Sequence, residues 1–118
     1  MGSRETPQLS NYVRFHRKRI GLYQEELGAL LGYVGGGQVP RHERSKSLPS
    51  FATAIAYEVI FQVPVSDLFP AARDRVAEEI ERRIDALKEA LEQRSAKDPD
   101  AAMTARKLEW IALRRGST

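Results

Sequence analysis

Between Gly21 and Pro49 the chain reads GLYQEELGALLGYVGGGQVPRHERSKSLP, and the run Gly35-Gly36-Gly37 interrupts any regular element that would cross this stretch. The pattern on either side predicts two short helices joined by a glycine-rich turn. The first begins after Leu22 and stops at Gly32, with Gln24, Glu25 and Glu26 in the positively polarised first turn, where acidic side chains are favoured. Leu27, Leu30 and Leu31 then share one face. The second runs from Gly37 or Gln38 to Arg44, with Val39 turned inward and Gln38, Arg41, His42 and Arg44 available to a partner. Pro40 lacks an N–H, so this helix either starts late, with Pro40 in its first turn, or is kinked. Gly28 costs about 1 kcal/mol relative to alanine inside a helix, a cost that a close crossing by the next helix would justify.

A short helix with a cationic outer face fits a nucleic-acid groove, and the charge distribution points the same way. Residues 1–62 hold 8 Lys+Arg against 5 Asp+Glu, whereas residues 63–118 are balanced at 11 of each, so the whole formal excess of +3 lies in the N-terminal half. With no cysteine, disulfides and thiolate metal sites are excluded, and no apolar run approaches the roughly 18 residues that a membrane span needs. The N-terminus carries no signal-peptide core, so a soluble, cytoplasmic protein is expected.

Before the glycine-rich region, Ser3 to Pro7 reads as a flexible lead-in within residues 1–7, and a helix is expected from Gln8 or Leu9 to Arg19, with Gly21 as its left-handed C-cap. Its basic residues, Arg14, Arg17, Lys18 and Arg19, read as a solvated face, and those late in the helix also favour its C-terminal dipole end. After Pro49, Ser50 is a good N-cap for a mostly buried helix holding Phe51, Ile55, Tyr57, Val59 and Ile60 and ending near Gln62. Ser66 or Asp67 then caps a short turn with Leu68 and Phe69, which Pro70 ends. Residues 8–70 therefore predict one all-α domain of five helices.

Several ordered features of residues 9–69 resemble the Cro/C1-type (XRE-family) helix-turn-helix domain of phage and bacterial repressors. They are Arg17 before Gly21-Leu22, Gln24-Glu25-Glu26-Leu27, Leu31-Gly32, Val39 with Arg41 and Glu43, Leu48-Pro49-Ser50, and the closing Asp67-Leu68-Phe69. The resemblance implies a lambda-repressor-like fold and double-stranded DNA as the partner, with Gln24 and Lys46 at phosphate-contact positions and Arg41 facing the major groove. Arg44, with Gln38 and His42, completes the expected contact surface, and Gly36 and Gly37 would let backbone approach phosphate. Arg17 and Glu43 match a family pair that forms an internal salt bridge between the first and third helices. The chain departs from the family at Tyr23, where a Ser or Thr usually caps, at a cost of about 1 kcal/mol. It also departs at Gly35-Gly36-Gly37, which replaces the polar residues opening the reading helix in a turn one residue longer, and at Ser45, which replaces a terminating glycine.

From Ala71 onward a long charged helix is predicted, with Val76, Ile80, Ile84, Leu87 and Leu91 in one stripe and Glu78–Arg82 and Glu79–Arg83 as four-residue pairs. Ser95 to Pro99 breaks it, and Asp98-Pro99 starts a last helix from Asp100 to about Arg115 with a second stripe of Ala105, Leu108, Ile111 and Ala112. Residues 71–118 thus form a two-helix extension whose stripes fold back on each other, pack on the core, or pair with another chain. Dimerisation through Val76, Ile80, Ile84, Leu87, Leu91, Leu108 and Ile111 is the expected use, with Trp110 at the edge and a different protein partner as the alternative. His16 and His42 lack metal-ligand spacing and no phosphate-cradling loop with its lysine is present, so neither catalysis, metal nor cofactor is expected. The expected function is a dimeric repressor reading specific DNA; the alternative is a scaffold or antitoxin-like protein that keeps the fold with little specific reading.

Overall fold

In a computed structural model, residues 11–94 and 98–116 are described, and among them every regular element is a helix. These are α1 (Val13–Ile20), α2 (Gln24–Leu30), α3 (Gln38–Glu43), α4 (Phe51–Phe61), α5 (Val65–Leu68), α6 (Pro70–Glu92) and α7 (Ala101–Gly116). The lead-in at residues 1–7, the helix start at Gln8 or Leu9 and most of the break after Arg94 lie outside the described residues. The chain divides into two compact units, one ending at Arg75 and the other starting at Val76, so the division falls inside α6 rather than at its start.

The first unit closes around Val13, Leu27, Val39, Tyr57, Phe61, Leu68 and Phe69, each contributed by a different turn of α1 to α5 or by the residue that follows α5. Stops and starts are local. Gly21 ends α1 at φ 92°, its N–H reaching back to the Arg17 carbonyl at 3.0 Å. Ser50 caps α4, its hydroxyl accepting from the Thr53 N–H at 3.2 Å. Tyr23 caps α2 without the expected side-chain oxygen, but the Glu26 carboxylate accepts from the Tyr23 N–H at 2.8 Å, which satisfies one end donor and offsets part of the loss.

Several expectations need correction in this unit. Gly28 is buried, yet a Cβ added there would meet the Gly35 carbonyl at 3.7 Å and Val39 Cγ2 at 3.8 Å, ordinary van der Waals contact, so the crossing does not require glycine. The α4 helix is buried along only one side: Tyr57 and Phe61 enter the core, while Phe51 is 83 % and Val59 68 % exposed. The short fifth helix starts at Val65, with Pro64 rather than Ser66 or Asp67 in the cap position. Pro70 then opens α6, where its missing N–H leaves no helical bond unmade.

In the second unit α7 runs antiparallel along α6. Arg114 and Arg115 near the end of α7 reach Glu81 at 2.7 and 3.1 Å and Arg115 reaches Asp85 at 2.7 Å, while Arg94, two residues past the end of α6, donates to the Thr104 hydroxyl at 3.0 Å. Ile84, Leu91 and Ile111 fill the seam with Leu108 beside them. The stripe therefore covers itself by folding back: Ile84, Leu91, Leu108 and Ile111 are spent inside the hairpin and are not open to another chain. Val76, Ile80 and Leu87 stay outside that seam. Thr104, not Ala105, is the small residue in the interface, and Asp98 locks the start of α7 by accepting from the Asp100 N–H and the Thr104 hydroxyl, each at 2.9 Å. Those bonds, with Arg94 beside them, hold the Asp98 carboxyl below its ordinary value. On the outside of α6, Glu79 pairs with both Arg83, at 3.3 Å, and Arg82.

Candidate nucleic-acid interface

The surface formed by α2, the turn after it and α3 rests on a buried polar cluster. Arg17 Nε donates to Glu43 Oε2 at 2.5 Å and Nη2 to Oε1 at 3.3 Å, a two-point contact whose side chains are only 10 % and 4 % exposed. The remaining guanidinium nitrogen, Nη1, donates to the Leu22 carbonyl at 2.9 Å, which ties the α1–α2 turn into the same cluster. Arg17 thus carries α1, the following turn and α3 on one rigid, planar group.

Gln24 joins this cluster. Its Nε2 donates to Glu43 Oε1 at 3.0 Å, so the side chain expected at a phosphate is turned onto the ion pair. The physical reason is that two N–H donors from Arg17 leave one Glu43 oxygen under-satisfied in a shielded position, and the amide is the nearest group that can complete it.

His42 also departs from its expected place. It is 2 % exposed, and its Nδ1 lies 2.8 Å from the Tyr57 hydroxyl. The rings meet edge to face at 5.7 Å. His42 is the next residue after Val39 on the same side of α3, three positions on, so the helix that buries Val39 must bury His42. Burial, and after it the positive charge of Arg41, push the imidazole below its ordinary value. Burial raises the Tyr57 phenol. His42 is therefore a core residue that fixes α3 to α4 and cannot touch a partner.

With Val39 and His42 inside, Gln38, Arg41 and Arg44 are exposed along the opposite side of α3, and Lys46 is exposed just beyond it. Arg14, Arg41, Arg44 and Lys46 are paired with no carboxylate among the described residues. Arg14 and Arg44 wall an open cleft of about 560 Å³ with Tyr23, Gln24 and Gly36, and the Arg17–Glu43 pair forms its floor. In the turn, Gly35 has φ 89°, a region closed to most side chains, whereas Gly37 sits at φ −80° as the residue before α3. Pro40 occupies the third position of α3, where an N–H would find no helical acceptor, so the helix starts late and is not kinked.

Asn11 is the residue that the sequence pattern did not single out. Its Oδ1 accepts from the Val13 N–H at 3.0 Å, and its Nδ2 donates to the His42 carbonyl at 2.9 Å and the Ser45 hydroxyl at 3.0 Å. It thereby clasps the end of α3 to the start of α1 and steadies Ser45, which takes the left-handed conformation at φ 57° that a glycine would adopt more easily. An asparagine directly before an apolar helix start is a capping signal; its second role needs the tertiary fold.

Among the described residues, no group of three or more metal-ligating side chains is gathered and no helix is long and apolar enough to cross a membrane. No protein-family model, curated protein or solved structure matches this chain.

Proposed function

We propose that the chain is a DNA-binding transcriptional regulator of the Cro/C1-type, in which α2 and α3 form the helix-turn-helix of a lambda-repressor-like domain and α3 enters the major groove. The observation that carries this reading is the division of α3 and its cap into a locked side, Val39 and His42, and an exposed side of Gln38, Arg41 and Arg44 with no paired carboxylate among the described residues. A rigidly seated helix with unneutralised guanidinium groups is what groove binding requires, since phosphate attraction supplies affinity and base edges supply specificity. Arg41 is placed to read a guanine through its two-pronged donor set, while Arg14, Arg44 and Lys46 hold backbone phosphates. Gln24 fixes Glu43 and also lines the cleft between Arg14 and Arg44.

In this reading the protein is a cytoplasmic repressor that acts as a dimer on two half-sites spaced about one helical turn, roughly 34–36 Å. The shortness of α3 and the absence of side chains at positions 35–37 favour a second reading, a protein-interaction scaffold or antitoxin-like protein that keeps the fold with weak or no specific DNA reading. Selection of bound duplexes from a random pool separates the two. An enriched, near-palindromic motif supports the repressor, and binding with no enriched motif supports the second reading. No binding to any duplex at low salt removes the repressor and favours the scaffold.

A further inference from the structure

The α4 helix, FATAIAYEVIF, contains one charged residue, Glu58, and is apolar all round, a composition that belongs to a helix covered on every side. Only its inner side is covered in one copy of the chain. Phe51 at 83 %, Ile55 at 42 % and Val59 at 68 % exposure stand on the outer side in steps of four residues, which turn by only about 40° each and so keep them in line. Glu58 beside them is turned onto the protein's own backbone, accepting from the Val65 N–H at 3.0 Å.

We infer that this outer face of α4 is covered by the same face of a second copy of the chain, the two helices crossing antiparallel about a two-fold axis at Ile55. The spacing makes the face its own complement: Phe51 of each copy meets Val59 of the other, and Ile55 meets Ile55. The stripe itself carries no charge that would select a partner of opposite sign or repel an identical copy. Its extent sets the strength. The three side chains expose on the order of 300 Å², so a pair removes about 600 Å² before flanking residues such as Ala52 and Leu48 are counted, below the roughly 1,200 Å² of a standard specific interface. The result is a reversible, concentration-dependent dimer in place of an obligate one. This contact lies in the first unit and does not use the hairpin of α6 and α7. It also does not rest on the DNA-binding reading.

The full chain has no cysteine, which makes a direct test possible. Sedimentation across the micromolar range should show a species of 13.3 kDa passing to one of twice that mass. Ile55→Glu should weaken the association at least roughly thirtyfold, as loss of a central anchor does, with the far-UV circular dichroism retained. Ile55→Cys, which keeps the position apolar, should form an intermolecular disulfide under mild oxidant, whereas Val76→Cys on the hairpin should not. A 13.3 kDa mass at every concentration overturns the inference. So does a dimer that withstands Ile55→Glu, or one that crosslinks through position 76 and not 55.

Discussion

Replacing Arg17 by methionine tests the arrangement beneath α3. The substitution keeps most of the aliphatic volume but removes two donors to Glu43, at 2.5 and 3.3 Å, and the bond to the Leu22 carbonyl at 2.9 Å. Glu43, 4 % exposed at its side chain, is left with one donor, Gln24 Nε2. Breaking one partner of a shielded pair costs about 3–5 kcal/mol, because the remaining charge is neither hydrated nor compensated. With a urea dependence of about 1 kcal/mol per molar for a unit this small, the midpoint should fall by roughly 3 M or more. The two units can be followed separately, since Tyr12, Tyr23, Tyr33 and Tyr57 all lie in the first and the one tryptophan, Trp110, lies in the second. Tyrosine near-UV circular dichroism should lose stability while Trp110 fluorescence keeps its midpoint. The double variant Arg17→Met with Glu43→Leu should recover most of the loss, since an apolar pair leaves no orphan charge. A change under about 0.5 kcal/mol in the single variant, the range of ordinary surface substitutions, would refute the reasoning.

His42 titrates below its ordinary value of 6.5 in the folded protein, so its contribution to stability is complete above that pH and is lost as pH falls through the unfolded value toward the folded one. The tyrosine-reported urea midpoint should therefore drop below pH 6.5, and His42→Gln should flatten that part of the profile; a slope unchanged by the substitution would place the effect elsewhere. Gly28→Ala should stabilise the first unit by up to about 1 kcal/mol, because the new methyl meets Gly35 and Val39 at contact distance and the helix gains propensity; destabilisation in urea would show that the approach is tighter than 3.7 Å. Ile111→Ala should cost the hairpin about 2–5 kcal/mol, read by Trp110 fluorescence, and leave the tyrosine transition in place.

Local punctuation was legible in the sequence: Gly21 as a left-handed cap, Ser50 as an N-cap and Pro40 in a first turn are properties of single residues and their neighbours. The Arg17–Glu43 pair was legible only through the family resemblance, since nothing in a separation of 26 residues announces a contact. Side assignment failed where a helix is short or lacks charge contrast. On the six residues of α3, His42 stands three positions after Val39 and was readable as inward, but its polar ring outweighed that spacing. On α4 one charge in eleven residues gives no pattern from which to tell the covered side, so Phe51 and Val59 were placed inside. Along α6 the apolar positions were found, but which of them meet α7 depends on the register of the hairpin, which Glu81, Asp85 and Arg94 set through residues far along the chain. Gln24 shows a further limit: its bond to the buried Glu43 carboxylate, which already accepts from Arg17, spans 19 residues and exists only in the folded chain.

The central claim, that the exposed side of α3 reads DNA, is tested most directly by the salt dependence of binding to one selected duplex and one random duplex. Wild type, Arg41→Ala and Lys46→Ala should be measured side by side. The account predicts that Lys46→Ala weakens binding to both duplexes alike and reduces the slope of log K against log salt by about 1, the signature of one lost phosphate contact. It predicts that Arg41→Ala lowers affinity for the selected duplex by about 1–3 kcal/mol more than for the random one. Equal losses on both duplexes for Arg41→Ala, or wild-type binding that does not weaken with salt, would contradict it.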